Sequence, residues 1–370
     1  MTNAQTANTR KRFIGLALLA GCISLAIKST VARKFSDFRD SNRQSTTSHS
    51  YIITALRPPD GLGASSASGI NINGDVLVTS YSQKADHRLR SYVWRNGAFT
   101  RIEYPGVGYM KANGINDKGR IVGMAILNSK EQRPFIWQNG KVQFLPTLGT
   151  ARRGTLYLNE ARSINNFGQV AGSVFAGDHV HLAIWDDHGK LTDVGATLKI
   201  GDSMALGTNG KGEAVGYLMS GADDRPIFYS HRGGCDLIRP MGNDKGDAFS
   251  INDKSEIVGT SESTDFTSFP YLLHDGVTTR LETPRGMQAS ASAINNSSQI
   301  VGYGLELNSS RALTWMSGKV ADLNSLIPKG SGWILSKATA INDRGQIAGD
   351  GELFGKPCAF LLTPTAPNRR

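Results

Sequence analysis

Several kinds of residue in this 370-residue chain could do chemistry, and most of them recur. Asn116-Asp117, Asn252-Asp253 and Asn342-Asp343 pair an amide with a carboxylate, a combination that suits a cation or a sugar hydroxyl. Arg90, Arg133, Arg225 and Arg311 stand with His181 at one repeated position, a partial ring of cations suited to an acidic sugar, a phosphate or a carboxylate. The plainer role for the same residues is to solvate an edge and stack on neighbouring aromatics. Asp178-His179-Val180-His181 is the one dense histidine cluster, and His-x-His on a strand puts both rings on one face, as a metal pair requires. No third ligand is apparent beside it, so the reading is an exposed loop pair, with neither a metal nor a cofactor implied. Glu103, Glu160, Asp178, Asp223, Asp224, Asp265 and Glu306 are acids without a motif. A hydrolase or lyase would need some of them to converge. No G-x-S-x-G nucleophile turn and no glycine-rich phosphate loop is present.

The elements that would position these residues come from a repeat. Ile-Asn, with Thr208 once replacing Ile, ends at Asn71, Asn116, Asn165, Asn209, Asn252, Asn295 and Asn342, at spacings of 45, 49, 44, 43, 43 and 47. That period fits a four-stranded propeller blade. In each unit an Ala-x-small-Ile strand leads through an Asn-x-x-Gly turn into an Ile-Val-Gly strand. An aromatic-rich strand such as Phe135-Ile136-Trp137 follows, then a turn such as Asn139-Gly140 and a fourth strand, Val142 to Leu145. The repeated Asn is therefore expected to build a turn rather than bind a ligand. Asn bonds its own backbone two residues on, and Gly at the fourth position takes positive φ. Asp follows the Asn in only three of the seven units.

Ala occurs at 67, 112, 161, 205, 248, 291 and 338, and two residues later stand only Gly, Ser or Ala. Strand periodicity would put both small positions on one crowded face, so this strand is expected to be innermost. The last unit stops after its third strand, and Tyr51–Leu56 precedes the first unit. That strand is expected to complete the last blade and close the ring. Cys235 then lies in blade 4 and Cys358 in blade 7, too far apart to bridge. The Asn turns and the third-to-fourth turns share one face of the disc. The longer second-to-third and fourth-to-first loops share the other, which is expected to bind ligand. The cation series lies where the third strand leaves that long-loop face. Trp94, Trp137, Trp185 and Trp315 repeat at one strand position and read as core. Trp333 lies outside that series, in a long loop, and is the candidate for stacking on a sugar.

Residues 1–34 read as a signal peptide or membrane anchor. Arg10-Lys11-Arg12 precedes a 15-residue apolar run, residues 13–27. Leu19-Ala20-Gly21-Cys22 resembles a lipobox and makes Cys22 a candidate for lipidation. Residues 35–49 read as a polar linker, 50–363 as the propeller and 364–370 as a tail. Of the formal net charge of +10, six positive charges sit in residues 1–34, which hold no acid. The remaining +4 is spread over the body. Nucleic-acid binding calls for clustered cations on one face, and this distribution argues against it.

The pattern Ala-x-x-Ile-Asn-x-x-Gly-x-Ile-Val-Gly, followed by an aromatic strand and a glycine turn, resembles the HAF repeat of bacterial extracellular proteins over about residues 50–363. The chain departs from it at the histidine that names the repeat, where Arg90, Arg133, His181, Arg225, Phe269, Arg311 and Cys358 stand. The resemblance implies an exported propeller of unknown biochemical role and supplies no catalytic residues; with the seven units counted above, the expectation is an all-β, seven-bladed propeller at the cell envelope, outside the cell or in the periplasm. The expected role is a monomeric binding or scaffold module for an envelope glycan or protein, touching membrane only through its N-terminal segment. The alternative is a carbohydrate-active hydrolase or lyase with its site at the mouth of the channel.

Overall fold

A computed structural model describes residues 51–365, apart from 84–87, 128–130, 150–158, 221–222, 241–244, 264–266 and 308. The signal segment with Cys22, the linker, Asp265 and most of the C-terminal tail lie outside the described residues. The chain folds as seven four-stranded antiparallel sheets, each paired in simple meander order. Blade 2 is representative, with strands Tyr109–Ile115, Ile121–Leu127, Glu131–Gln138 and Lys141–Phe144. The seventh blade is the composite that the chain ends predict. Trp333–Ile341, Ile347–Leu353 and Lys356–Pro364 are completed by Tyr51–Leu56, which pairs antiparallel with the last strand from Tyr51↔Pro364 to Leu56↔Ala359. Two short helical turns, Val194–Leu198 and Leu323–Leu326, interrupt the meander after the fourth strands of blades 3 and 6. Asp193 and Asp322 cap them.

The first strand is innermost, but its two small positions do not share a face. In all seven blades the ladder slips between them, so the intervening residue has no partner. In blade 2, Ala112 opposes Gly123 while Gly114 opposes the adjacent Val122. Neighbouring residues on a strand point to opposite faces, so this bulge turns Ala112 and Gly114 apart. Ala112 packs into the cluster of Leu77 and Val93 of blade 1. A Cβ on Gly114 would come within 2.9 Å of the Arg162 carbonyl of blade 3. Both residues are small, then, but against different neighbours. In six blades the bulge stands opposite the glycine of the Ile-Val-Gly run, whereas blade 1 has the same bulge with Val78 opposite Ala67. A Cβ on Gly123, Gly172, Gly216, Gly259, Gly302 or Gly349 would strike the carbonyl oxygen five residues before that blade's Asn.

The core lies between blades rather than within them. Val122 and Ile136 of blade 2 pack with Ala161, Val170 and Trp185 of blade 3. Trp137, Trp185 and Trp315 are fully buried, and Trp315 donates through Nε1 to the Glu282 carbonyl at 2.6 Å. The two body cysteines are free, as their separate blades require.

Candidate functional site

Each repeated Asn is buried, and its side chain makes the same bonds in every blade. Oδ1 accepts the backbone N–H groups two and four residues on, as Asn116 does from Lys118 at 3.1 Å and Arg120 at 3.0 Å. Nδ2 donates to the backbone carbonyl of the next blade's Asn. The sequence Asn71, Asn116, Asn165, Asn209, Asn252, Asn295, Asn342 and back to Asn71 closes at 2.8–3.2 Å per step. The turn expected from the sequence is therefore also the joint between blades. Ser255 and Ser298 take the glycine position at φ 63° and 60°, as the turn demands.

Just outside this ring the following residues make a second, broken one. Asp117 Oδ1 accepts Ile72 N–H at 2.8 Å, Asp253 Oδ1 accepts Gly210 N–H at 2.7 Å, and Asp343 Oδ1 accepts Asn296 N–H at 2.7 Å. Their second oxygens accept Asn166 or Asn296 side-chain N–H groups. Together the two rings line a cavity of about 420 Å³ at the tight-turn mouth of the channel, with Ile70, Ile115, Ile164, Ile251, Ile294 and Ile341 as its apolar wall. The amides and carboxylates of this mouth are already engaged in joining blades.

On the long-loop face, the members of the cation series meet carboxylates of their own surroundings. Arg90 lies 3.9 Å from Asp60, a buried carboxylate that also accepts Ser80 Oγ and Tyr92 OH. Arg133 pairs with Glu131 two residues back. His181 Nδ1 lies 2.9 Å from Asp193, and Arg311 Nη1 lies 3.1 Å from Asp322, the two capping aspartates. Arg225 occupies the same third-strand position in blade 4, opposite Leu218. The His181 and Arg311 pairs tie their third strands to the caps of the helical turns, Arg133–Glu131 lies within one strand, and carboxylate pairing is neither of the two roles weighed for the series. Trp333 is not in a loop. It opens the first strand of blade 7 and packs edge-on against Phe360, with ring centres 6.2 Å apart. His179 and His181 likewise lie in the third strand of blade 3, His179–Trp185, rather than in a loop.

A different group of ionisable residues, Glu160 buried and the others half-buried, lies toward the long-loop ends of the inner strands of blades 2, 3 and 5. Glu160, 1% exposed, accepts Asn113 Nδ2 at 2.8 Å through Oε1. Its Oε2 lies 2.9 Å from Arg162 Nε. Burial lowers the pKa of the Lys111 ammonium. The Glu160 charge opposes that shift and the Arg162 charge adds to it. Asp247 is pushed up to about 7 by burial, with Asp224 and Glu262 adding repulsion. Its Oδ1 is shut from solvent with no hydrogen-bond partner among the described residues. Tyr217 of blade 4, its hydroxyl pKa raised first by burial, senses Arg162, Asp224, Asp247 and Glu160 together. Of this group only Glu160 and Asp224 stood among the sequence candidates. Lys111, Arg162 and Asp247 sit three or five residues before their blade's Asn, where the residue type differs from unit to unit. A repeat alignment therefore passes over them.

The sequence matches no protein-family model and no curated protein. The fold is similar to solved propellers. The propeller domain of the Trilobed protease from Pyrococcus furiosus aligns at TM-score 0.53 and 11% identity over 82% of this chain and 97% of that one. An oligogalacturonate lyase from Vibrio parahaemolyticus aligns at 0.52 and 9% over 85% and 97%. A puromycin-hydrolyzing peptidase of Mycobacterium tuberculosis aligns at 0.52 and 13% over 81% of this chain and 52% of that one. At these identities the likeness is one of fold: this chain is a seven-bladed β-propeller.

Proposed function

We propose that the chain is an exported binding or scaffold module of the cell envelope, taking a polar ligand, a glycan or a protein segment, at the long-loop end of its channel. The observation that carries this reading is the meeting of Lys111, Glu160 and Arg162 across blades 2 and 3, with Tyr217 of blade 4 sensing both Glu160 and Arg162 and the Asp247 carboxylate of blade 5. Half-buried donors and acceptors of both signs suit a hydroxyl-rich or carboxylate-bearing ligand, which can exchange hydrogen bonds with each of them. The resemblance to HAF-repeat proteins and the basic, apolar N-terminus support export. The test is a glycan array and an envelope-protein pull-down with the full chain and with Lys111→Ala/Arg162→Ala. Saturable binding that drops at least tenfold in the double variant is expected. Binding unchanged in that variant moves the site elsewhere and overturns the reading.

One observation favours a second reading, a carbohydrate-active hydrolase or lyase. Asp247, with a pKa near neutrality, has the property a proton-transferring carboxyl needs. Release of reducing ends or unsaturated products from a polysaccharide, abolished by Asp247→Asn, would favour it over simple binding.

A further inference from the structure

Resting on the binding reading above, we propose that the long-loop end of the channel takes a zwitterion, its carboxylate held by Lys111 and Arg162 of blades 2 and 3 and its ammonium by Asp247 of blade 5. Among the described residues, four buried side-chain nitrogen and oxygen atoms have no hydrogen-bond partner: Glu160 Oε2, Arg162 Nε, Ser173 Oγ and Asp247 Oδ1. All four belong to this end of the channel. Ser173, fully buried, stands opposite Glu160 in the blade 3 ladder. Glu160 Oε2 and Arg162 Nε lie 2.9 Å apart yet are misaligned for a hydrogen bond. Native proteins pair nearly all their buried polar groups, so unpaired ones gathered in one place mark a site that a ligand completes.

The charges say what the ligand carries. Lys111, Arg162 and Glu160 together leave one positive charge unbalanced. Arg162 meets Glu160 through Nε, which leaves both outer guanidinium nitrogens for a second carboxylate, the two-pronged pairing that arginine prefers. Asp247 has the opposite surroundings. The two charges that reach it, Asp224 of the third strand of blade 4 and Glu262 of the second strand of blade 5, are both negative. A carboxylate among carboxylates, with one oxygen unpaired, is completed by a cation. Among the described residues no group of three or more His, Cys, Asp or Glu is placed to hold a metal ion, so an organic ammonium is the cation that fits.

Between the two ends the wall is apolar. The bulge leaves one residue of each inner strand without a ladder partner, and in blades 3, 4 and 5 these are Arg162, Leu206 and Phe249, all half-buried. Leu206 packs against Met204 and Tyr217, and the Tyr217 hydroxyl donates to Met204 Sδ at 3.1 Å. Tyr217 senses Arg162 and Glu160 of blade 3 as well as Asp247 of blade 5, which sets blade 4 between the two charged ends. A ligand spanning them carries its charges at opposite ends of a methylene chain, as an ω-amino acid does, and lays that chain on Leu206 and Phe249.

The test titrates the full chain at pH 8 by calorimetry with 4-aminobutanoate, 6-aminohexanoate and 8-aminooctanoate, each against the alkanoate and the alkylamine of the same length. One ω-amino acid is expected to bind at least tenfold tighter than either singly charged analogue. Asp247→Asn should bring it down to the alkanoate, and Lys111→Ala/Arg162→Ala down to the alkylamine. Ammonium binding should also release the Asp247 proton, because burial and its acidic neighbours push that carboxyl up to about 7. Titrations in two buffers should show proton release at pH 6 and none at pH 8.5, with Asp224, Glu262, Tyr217 and Tyr271 the ionisable groups around it. Singly charged analogues that bind as tightly as the ω-amino acids, or no binding across the series, overturn the zwitterion. If the alkanoate alone binds and is lost in Lys111→Ala/Arg162→Ala, the binding reading stands without it. An ω-amino acid that binds that double variant as well as the natural chain overturns both.

Discussion

Replacing Asn116 by Ala removes three hydrogen bonds, the donor to the Asn165 carbonyl and the two acceptors for Lys118 and Arg120 N–H. Asn116 is 3% exposed, so the freed groups are poorly placed to recover water. At about 1 kcal/mol net per bond, the loss is about 3 kcal/mol, more if any partner stays dry. For a propeller of this size that corresponds to roughly 4–5 °C in melting temperature, read by calorimetry. Asn116→Asp separates the two roles. It keeps both acceptors but sets a carboxylate oxygen against the Asn165 carbonyl, so it should be at least as destabilising at neutral pH. It should recover in acid, where a protonated carboxyl donates again. Asn73→Ala is the control, since its side chain donates to the Asp117 carbonyl from an exposed position. A shift for Asn116→Ala no larger than for Asn73→Ala would refute the view that the asparagine ring joins the blades.

Three further outcomes are expected. Gly216→Ala drives a Cβ into the Met204 carbonyl of the bulge and should cost on the order of 3 kcal/mol in denaturant titration, whereas Gly140→Ala, with open space around it, should cost only its turn strain. Ala205→Leu overpacks the cluster with Ala171, Leu182 and Ile184 and should cost about 1–3 kcal/mol; an unchanged melting temperature would remove Ala205 from the blade 3–blade 4 contact. Asp247, raised from 3.8 to about 7, favours the folded state when protonated. Its contribution is full below pH 3.8 and lost as pH rises through about 7. Asp247→Asn should therefore be the more stable protein at pH 8, by on the order of 2–4 kcal/mol, with the gap closing toward pH 4.

The repeat made the architecture legible because every blade reuses one joint. The Asn recurs in all seven units because each one donates to the next, while Thr208 once replaces the Ile and Ser255 and Ser298 replace the turn glycine, and Tyr51–Leu56 could be placed by the fourth strand that blade 7 lacked. The bulge was hidden for a physical reason. Ala-x-Gly has the spacing of two residues on one strand face, and only the slipped register with Gly123 and Val122 sends them apart. The cation series was legible as a repeat, while its partners were not: Asp60 reaches it from a loop, and Asp193 and Asp322 from the ends of fourth strands in only two of the seven blades. The buried group around Glu160 and Asp247 escaped for the opposite reason, since it is built from the positions at which the blades differ.

The clasp of blade 7 gives the disc a mechanical weak point. Tyr51 opposes Pro364, so both chain ends leave the same end of one antiparallel pair. Tension between them would load the ladder one rung at a time, as a zipper is loaded, rather than shearing six rungs at once. Separating Tyr51–Leu56 would bare an unpaired edge on Lys356–Pro364, able to accept another extended segment. Leu56, fully buried at the far end of the clasp, would be the last rung to yield.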